Sequence, residues 1–127
     1  MLEVGLQCEV SKVVQMEDTA AKVASGLLDV FATPMMIALM EKAAYTLVQD
    51  HLAEGDSTVG VEIGAKHVKA TPVGTTVKAI ATLTKIEGRF LTFSVQAFEE
   101  DGTLIGEGTH QRCIINSQKF IDKLNKR

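Results

Sequence analysis

The sequence predicts an α+β fold in which one long central helix is wrapped by a curved, mainly antiparallel sheet. Two observations support this prediction. Residues 33–53 have apolar side chains around most of the circumference of a helix, so this helix must be covered on most sides. The segments that follow alternate apolar and polar residues between turn signals, as the strands of one sheet do. With 127 residues the chain is long enough for its own core, and we expect a single domain over residues 1–127.

The first elements in the chain are predicted to be a strand and a short helix. Residues 2–10 alternate between apolar and polar side chains, which is typical of a half-buried strand. Residues 18–26 are rich in small helix-forming residues. Asp18 or Thr19 is expected to be the N-cap of this short helix, and Gly26 is expected to end it.

The long helix has recognisable signals at both ends. Thr33 is a favourable N-cap, and Pro34 suits the first helical position, where a missing N–H group is not needed. Apolar residues recur at helical spacing until Leu52–Ala53, and Gly55 is expected to terminate the helix.

The second half of the chain predicts four strands in an antiparallel meander, followed by a short helix. Turns are expected at residues 71–74, 87–89 and at the Asp101–Gly102 pair, which is a strong hairpin signal. One helix covered by one sheet still leaves the open side of the helix and an edge of the sheet exposed. We therefore expect a homodimer. The apolar strand positions between the turns are Val59, Val61, Ile63, Ala65; Val77, Ala79, Ala81, Leu83; and Leu91, Phe93, Val95, Ala97.

Composition excludes several classes of partner. A net charge of −3, the absence of Trp and a single Tyr argue against a nucleic-acid or anionic-membrane partner. No signal peptide or membrane-spanning stretch is visible, so a cytoplasmic location is expected. A disulfide between Cys8 and Cys113 is conceivable, but two buried free thiols are predicted, and two cysteines are too few for a structural zinc site. Neither a metal nor another cofactor is expected.

Glu41 is the residue of the long helix that folding explains least well. It is rotated by about 100° from the polar stripe of the helix and has apolar neighbours one turn away on either side. Two interpretations are open. Glu41 is either a boundary residue whose carboxylate reaches solvent, or a partly desolvated carboxylate suited to act as a base or nucleophile. The polar stripe consists of Lys42, Thr46, Gln49 and Asp50.

His67 and Thr33 are the other candidates for chemistry. His67 shares its parity with the apolar residues of its strand, so in an unbulged strand it faces the helix, either as a core histidine or as an acid–base partner of Glu41. Thr33 is explained by capping, but a helix N-terminus also offers free N–H groups to a developing oxyanion. Those donors would belong to Met35 and Met36, because Pro34 has no N–H.

The other two histidines are weaker candidates. His51 lies near the C-terminus of the long helix, where a favourable interaction with the helix dipole explains it. His110 has the opposite strand parity to the apolar Ile105, Cys113 and Ile115.

Three segments together resemble a known family. VFATPMMIALMEKA, GVEIGAKHVKATPVGTTV and GTHQRCII occur in the order and nearly the spacing found in the fluoroacetyl-CoA thioesterase-like branch of the hotdog thioesterases. The resemblance covers about residues 29–121, which is most of the chain. It implies that the predicted architecture is the hotdog fold and that the chain is a thioester hydrolase.

The resemblance also implies roles for individual residues. The functional threonine, glutamate and histidine of the family correspond to Thr33, Glu41 and His67. A glycine in the strand before the histidine corresponds to Gly60, and a substrate-contacting arginine corresponds to Arg112. From the residues alone, Gly60 is equally explained as a strand glycine that permits close backbone approach, and Arg112 as a solvated strand charge.

These observations together predict a homodimeric acyl-CoA thioesterase that converts a small or medium acyl-CoA to the free acid and CoA. Coenzyme A enters as part of the substrate. The alternatives are a non-catalytic acyl-CoA-binding module and a hydratase or dehydratase that acts on an acyl thioester. Thr33 and Glu41 are separated by a helical rise of about 12 Å, so either the substrate spans this distance or the site is shared between subunits. We expect a shared site at the dimer interface.

One feature of the family is absent from the sequence. In the enzyme that gives the branch its name, phenylalanines just before the FAT segment form a hydrophobic lid over the acyl group. The corresponding positions here are Ala24 and Leu27. Selectivity for a fluorinated acyl group is therefore not expected.

Overall fold

The computed structural model describes all 127 residues and wraps a single five-stranded sheet around one long helix. The sheet order is β1-β3-β4-β5-β2, and every pair of neighbouring strands is antiparallel. The predicted α+β architecture is confirmed. In chain order the elements are β1 Gln7–Val13, a 3-10 turn Met16–Asp18, α1 Ala20–Val23, α2 Thr33–Gln49, β2 Asp56–His67, β3 Thr76–Glu87, β4 Phe90–Glu99, β5 Leu104–Asn116 and α3 Ser117–Asn125.

The core lies between α2 and the concave face of the sheet. Alternate residues of β3 and β4 point at the helix and are fully buried, as the period-two pattern predicts. Several of these residues, and two of the helix residues that they meet, are alanines, which allow the helix to lie close to the sheet. The core residues of these three elements are Met36, Leu39, Met40, Ala43, Ala44, Leu47, Val48; Val77, Ala79, Ala81, Leu83; and Leu91, Phe93, Val95, Ala97.

The strand connectivity differs from the predicted meander. β3, β4 and β5 are consecutive neighbours, but β2 pairs with β5 at the far edge of the sheet. The segment 68–75 between β2 and β3 is too long for a tight hairpin. It connects two strands that are separated by β5 and β4. Within this segment the carbonyl of Thr71 accepts a hydrogen bond from the N–H of Phe31, which ties the crossover to the start of α2.

Element boundaries in the N-terminal third also differ from the prediction. β1 spans Gln7–Val13. The predicted strand over residues 2–10 therefore begins too early and ends three residues too soon. Thr19 is the N-cap of α1, as expected, and accepts a hydrogen bond from the N–H of Lys22. The helix then ends at Ala24, which adopts a left-handed conformation (φ 63°), so Gly26 is not its stop.

β2 contains a bulge that determines which of its side chains face α2. Gly60 and Glu62 pair with consecutive residues of β5, so Val61 is the extra residue. A bulge of this kind exchanges the two faces of a strand. His67 faces the helix side as predicted, but Val59 and Val61 line a cleft on the outer face of the sheet. The prediction that Val59 and Val61 face the helix together with His67 is therefore wrong.

The chain has two free thiols, Cys8 and Cys113, as expected. None of its helices has the length and apolar character needed to cross a membrane.

Candidate active site

Glu41 lies midway along α2, on the side of the helix that the sheet does not cover completely. Its side chain is 37% exposed, and Oε2 accepts a hydrogen bond from Nη1 of Arg112 at 3.2 Å. Neighbouring helix residues on this side, including Lys42 and Tyr45, are exposed. The structure therefore places the carboxylate at a partly open position, held on one oxygen by a cation.

Arg112 is buried beneath Glu41 and is fixed by several contacts. Its Nε donates to Oγ1 of Thr58 at 2.8 Å, and its Nη2 donates to the Thr58 carbonyl at 3.1 Å. The Tyr45 ring lies 5.6 Å from the guanidinium carbon. Burial lowers the pKa of Arg112, and the Glu41 carboxylate opposes this shift. A buried guanidinium with this many partners has one orientation and acts as a fixed charge beside Glu41.

Gly60 allows the carboxylate to approach the sheet. A Cβ atom at this position would lie 2.8 Å from Oε2 of Glu41 and 3.3 Å from Nη1 of Arg112. The first distance is too short for any real side chain, and the atom in question belongs to the ion pair. Glycine at position 60 therefore permits the close approach of the Glu41 side chain, which a larger residue would displace.

His110 completes this cluster and was not predicted as a site residue. It is 2% exposed, and its Nε2 lies 3.1 Å from Nη1 of Arg112 and 3.8 Å from Oε2 of Glu41. The parity argument failed because β5 has a bulge at Ile105, opposite the end of β4. Beyond that bulge the even-numbered residues face α2. The two-residue spacing between His110 and Arg112 was the signal that places both on one face.

Cys113 and Ile115 are two of the apolar residues whose parity was used to assign His110 to the other face of the strand. Cys113 and Ile115 line the cleft on the outer face of the sheet, together with Phe120 of α3. These apolar side chains therefore line the outer cleft and do not belong to the core around α2.

Thr33 forms a second cluster with His67. Oγ1 of Thr33 lies 2.8 Å from Nδ1 of His67. The predicted N-cap role of Thr33 is wrong: Ala32 is the N-cap, and Thr33 is already helical with its hydroxyl turned towards the imidazole. The expected oxyanion donors are also engaged, because the N–H groups of Met35 and Met36 both donate to the Ala32 carbonyl.

His67 is a neutral partner for this hydroxyl. Burial lowers the pKa of His67, and the backbone of Lys69 only partly opposes the shift, so the imidazole is uncharged at neutral pH. The Phe31 ring packs edge-on against it at 6.4 Å, and Nε2 is buried without a hydrogen-bond partner. The pair lies in a cleft of about 260 Å³ lined by Ala20, Ser25, Val30, Phe31, Thr33, His67, Val68, Lys69 and Ala70.

The two clusters do not meet within one chain. No hydrogen bond or ion pair joins Glu41 to His67, and Glu41 instead contacts Arg112 and lies near His110. The helical rise of about 12 Å between Thr33 and Glu41 explains the separation, because both clusters are attached to α2. Of the five predicted site residues, the structure groups Glu41 with Gly60 and Arg112, and Thr33 with His67.

A long central helix wrapped by a curved, five-stranded antiparallel sheet places the chain among the hotdog proteins. A hot-dog-like protein from Thermanaerovibrio acidaminovorans has the same fold, with a TM-score of 0.89, 22% identity, and coverage of 99% of this chain and 93% of that chain. The likeness at this identity concerns the fold alone.

The chain belongs to the family of fluoroacetyl-CoA-specific thioesterases, whose model matches residues 14–118. The fluoroacetyl-CoA thioesterase of Streptantibioticus cattleyicolor is 40% identical over 100 residues, which are 78% of this chain and 70% of that protein. A mutant of the fluoroacetyl-CoA-specific thioesterase FlK, in complex with fluoroacetate and CoA, has a TM-score of 0.87 at 34% identity, covering 94% of this chain and 99% of that chain.

These similarities confirm three predictions made from the sequence. The family is the one that the FAT, KHVKATP and GTHQR segments indicate, the fold is the hotdog fold, and the enzyme class is that of the thioesterases. The roles of the five predicted residues stay predictions.

Proposed function

We propose that this chain hydrolyses a small or medium acyl-CoA to the free acid and CoA, in a site at the interface of a homodimer. The observation that carries the proposal is the Glu41–Arg112 pair, in which a buried guanidinium holds a partly exposed carboxylate against Gly60. A thioester carbonyl is already electrophilic and a thiolate leaves readily. An activated oxygen nucleophile, a group that manages protons and a donor to the oxyanion are therefore sufficient for the reaction.

Glu41 supplies the activated oxygen in this proposal. Arg112 occupies Oε2, which leaves Oε1 free to take a proton from water or to attack the carbonyl carbon itself. In the first case water adds to the carbonyl carbon while Glu41 accepts its proton. The C–S bond then breaks, and CoA leaves as a thiolate that is protonated afterwards. In the second case the Glu41 carboxylate attacks the carbonyl carbon and the C–S bond breaks, so that CoA leaves as a thiolate and a transient anhydride forms on Glu41. Water then hydrolyses the anhydride to the free acid and restores the carboxylate.

Thr33 and His67 bind the other side of the reacting group. The neutral imidazole and the hydroxyl together offer a hydrogen bond to the thioester carbonyl or to the attacking water. Because one chain holds these two residues away from Glu41, we propose that Glu41 of one subunit and the Thr33–His67 pair of the other serve one substrate. The exposed side of α2 and the unpaired edge of β2 are the surfaces through which two subunits would meet.

The remaining parts of the proposal follow from the sequence and are consistent with the fold. Residues 1–127 form one domain, the location is cytoplasmic, and the partners are the acyl-CoA substrate and a second copy of the chain. Neither nucleic acid nor a membrane is a partner in this proposal. The reaction uses protein side chains and water, with no metal or other cofactor. Gly60 and Arg112 contribute by placing Glu41, against which the substrate would lie.

The proposed activity is tested by incubating the protein with acyl-CoAs of increasing length and measuring free thiol. A thioesterase releases thiol stoichiometrically with free acid. A binding module binds acyl-CoA without thiol release, and a hydratase or dehydratase changes the acyl chain while the thioester stays intact. Either of these two results contradicts the proposal.

Acyl selectivity is expected to differ from that of the relatives. The positions of the aromatic lid are Ala24, at the left-handed end of α1, and Leu27, which is 94% exposed. Because an open apolar pocket separates similar substrates by only about 1–3 kcal/mol, fluoroacetyl-CoA should exceed acetyl-CoA by no more than about tenfold in kcat/KM. Butyryl- or hexanoyl-CoA should exceed both. A thousandfold preference for the fluorinated substrate, measured side by side, contradicts this expectation.

A shared site predicts complementation between inactive subunits. Thr33→Val removes the hydroxyl but keeps the side-chain shape, and Glu41→Gln removes the base. In a dimer that contains one subunit of each kind, one of the two shared sites regains both wild-type groups. After unfolding and refolding of an equal mixture, about a quarter of wild-type thiol release should return, because half of the random dimers are mixed and each has one complete site.

Two controls make this experiment decisive. Refolding of either variant alone should restore no activity. Thr33→Ser, which keeps the hydroxyl, should be largely active without mixing. Neither Thr33 variant is expected to lose an N-cap, because Ala32 occupies that position. If the mixture is as inactive as the separate variants, the complete site lies within one subunit.

A further inference from the structure

His110 has contacts that determine its protonation state by chemistry alone. Its Nδ1 lies 2.7 Å from the carbonyl oxygen of Glu62, and its Nε2 lies 3.1 Å from Nη1 of Arg112. A carbonyl oxygen can only accept a hydrogen bond and a guanidinium can only donate. Nδ1 therefore carries the proton and Nε2 presents its lone pair. The imidazole at this position is neutral.

Nη1 of Arg112 carries two hydrogens, and the structure provides an acceptor for each. One acceptor is Nε2 of His110 at 3.1 Å, and the other is Oε2 of Glu41 at 3.2 Å. The opposite side of the guanidinium is fixed by the hydroxyl and carbonyl of Thr58. With one N–H taken by His110, the second N–H points at the carboxylate.

We propose that His110 is a positioning residue for Glu41 that acts through Arg112. The neutral imidazole, anchored at the Glu62 carbonyl beside the β2 bulge, orients the guanidinium that holds the carboxylate in front of Gly60. The inference rests on the proposed function for its effect on turnover. The tautomer of His110 and the hydrogen-bonded arrangement are independent of the proposed function.

The groups around His110 determine what protonation would do. On α2 the charged group is Glu41, with Oε2 at 3.8 Å from Nε2, and on β5 it is Arg112. β4 contributes the uncharged Phe93 ring, with its centroid 6.0 Å away, and β2 contributes only the backbone carbonyl of Glu62. A protonated Nε2 could no longer accept from Arg112 and would compete with it for Glu41.

This competition occurs only in acid. Burial is the main factor that lowers the pKa of His110, and Arg112 adds to it, whereas the Glu62 carbonyl and Glu41 oppose the shift. The folded protein therefore binds this proton less readily than the unfolded chain, whose histidine pKa is about 6.5. The stability that the neutral imidazole contributes is therefore fully present above that pH and declines below it, and the arrangement itself is lost as the pH falls through the lowered pKa of the folded protein.

The tautomer is tested without any assay of activity. In protein labelled with ¹⁵N-histidine, NMR distinguishes protonated from unprotonated ring nitrogens, and the His110→Gln variant assigns the signals. We expect Nδ1 to carry the proton at pH 7, Nε2 to be bare, and the ring to titrate below the ordinary histidine range. A proton on Nε2, or a charged ring at pH 7, overturns the inference.

The positioning role is tested by kinetics on two variants of one residue. His110→Leu removes the acceptor for Arg112 and should lower kcat by about ten- to a hundredfold, with a smaller change in KM, because displacing a reacting group by about 1 Å has effects of this size. His110→Gln offers a side-chain oxygen to Arg112 at similar reach and should keep kcat within about threefold of wild type. It should also remove the part of the acid limb of the pH–kcat profile that belongs to His110.

A double-mutant cycle separates positioning from a general loss of structure. If His110 acts through Arg112, His110→Leu should have little further effect on kcat in an Arg112→Lys background. His51→Gln changes an exposed histidine and should leave kcat unchanged. The positioning role is overturned if His110→Leu is folded with wild-type kcat, or if its effect is fully additive with that of Arg112→Lys. A chain that releases no thiol from any acyl-CoA contradicts the proposed function, while the NMR result still decides the tautomer.

Discussion

Replacing Glu41 with glutamine is expected to lower kcat for thiol release by about 10²- to 10⁴-fold, the usual effect of removing a general base. Glutamine has nearly the same volume, and its side-chain oxygen can still accept the hydrogen bond that Arg112 donates to the carboxylate. The buried guanidinium thus keeps a partner, and the variant should fold normally. The rate should therefore fall because the base is absent, and not because the cluster has collapsed.

The measurement is kcat for the best acyl-CoA in the panel, together with the melting temperature of each variant. Glu54→Gln is a suitable control, since Glu54 is exposed in the turn between α2 and β2 and its side chain makes no hydrogen bond or ion pair. It should have wild-type activity. If Glu41→Gln keeps more than about a tenth of the wild-type kcat, Glu41 is neither base nor nucleophile.

Replacing Gly60 with alanine is expected to lower kcat by about a hundredfold without any change of charge. The new methyl group would lie 2.8 Å from Oε2 of Glu41, so the carboxylate must move away from β2. A displacement of about 1 Å at a reacting group is sufficient for a loss of this size. The movement also lengthens the contact with Arg112, whose Nη1 would lie 3.3 Å from the methyl group.

The same strand contains the matched control. A Cβ atom at Gly64 would meet nothing within 4 Å, so Gly64→Ala makes the same chemical change in β2 without touching the cluster. We expect Gly64→Ala to have wild-type kcat and a similar melting temperature. Equal kcat for the two alanine variants would show that close approach at Gly60 has no role in turnover.

The layers of the fold could be predicted because their signals repeat. Eight inward positions of β3 and β4 keep a strict period of two, from Val77 to Leu83 and from Leu91 to Ala97, and all of them are fully buried. The long helix has a Pro near its start and apolar residues on most sides. Each of these patterns extends over many residues, so a local irregularity does not hide it.

The candidate site was less predictable because it lies where the strands are irregular. The bulges at Val61 and Ile105 each add one residue to a strand. Alternation that is counted across a bulge therefore assigns the residues beyond it to the wrong face of the sheet. For this reason His110 was assigned away from the helix, although it is buried beside Arg112. His67 was placed correctly because Ile63 and Ala65 lie on its own side of the bulge.

Hydrogen bonds at the start of α2 were also outside the reach of sequence patterns. Threonine is a residue type that is common at N-caps, but the hydroxyl of Thr33 forms a hydrogen bond with His67, which is distant in sequence. Only the folded sheet brings β2 to that point. The tertiary contact with His67 therefore outweighs the local preference of Thr33 for capping, and Ala32 is the N-cap.

The bulge at Val61 has a consequence for comparing this chain with distant homologues. Gly60 and Glu62 pair with adjacent residues of β5, so removing Val61 would leave both halves of β2 in their present register, with Gly60 and His67 still facing α2. Removing any one residue between 62 and 66 would instead turn His67 to the outer face. In an alignment, a one-residue gap in this strand therefore belongs at Val61, and a gap placed closer to His67 would pair residues from opposite faces of the sheet.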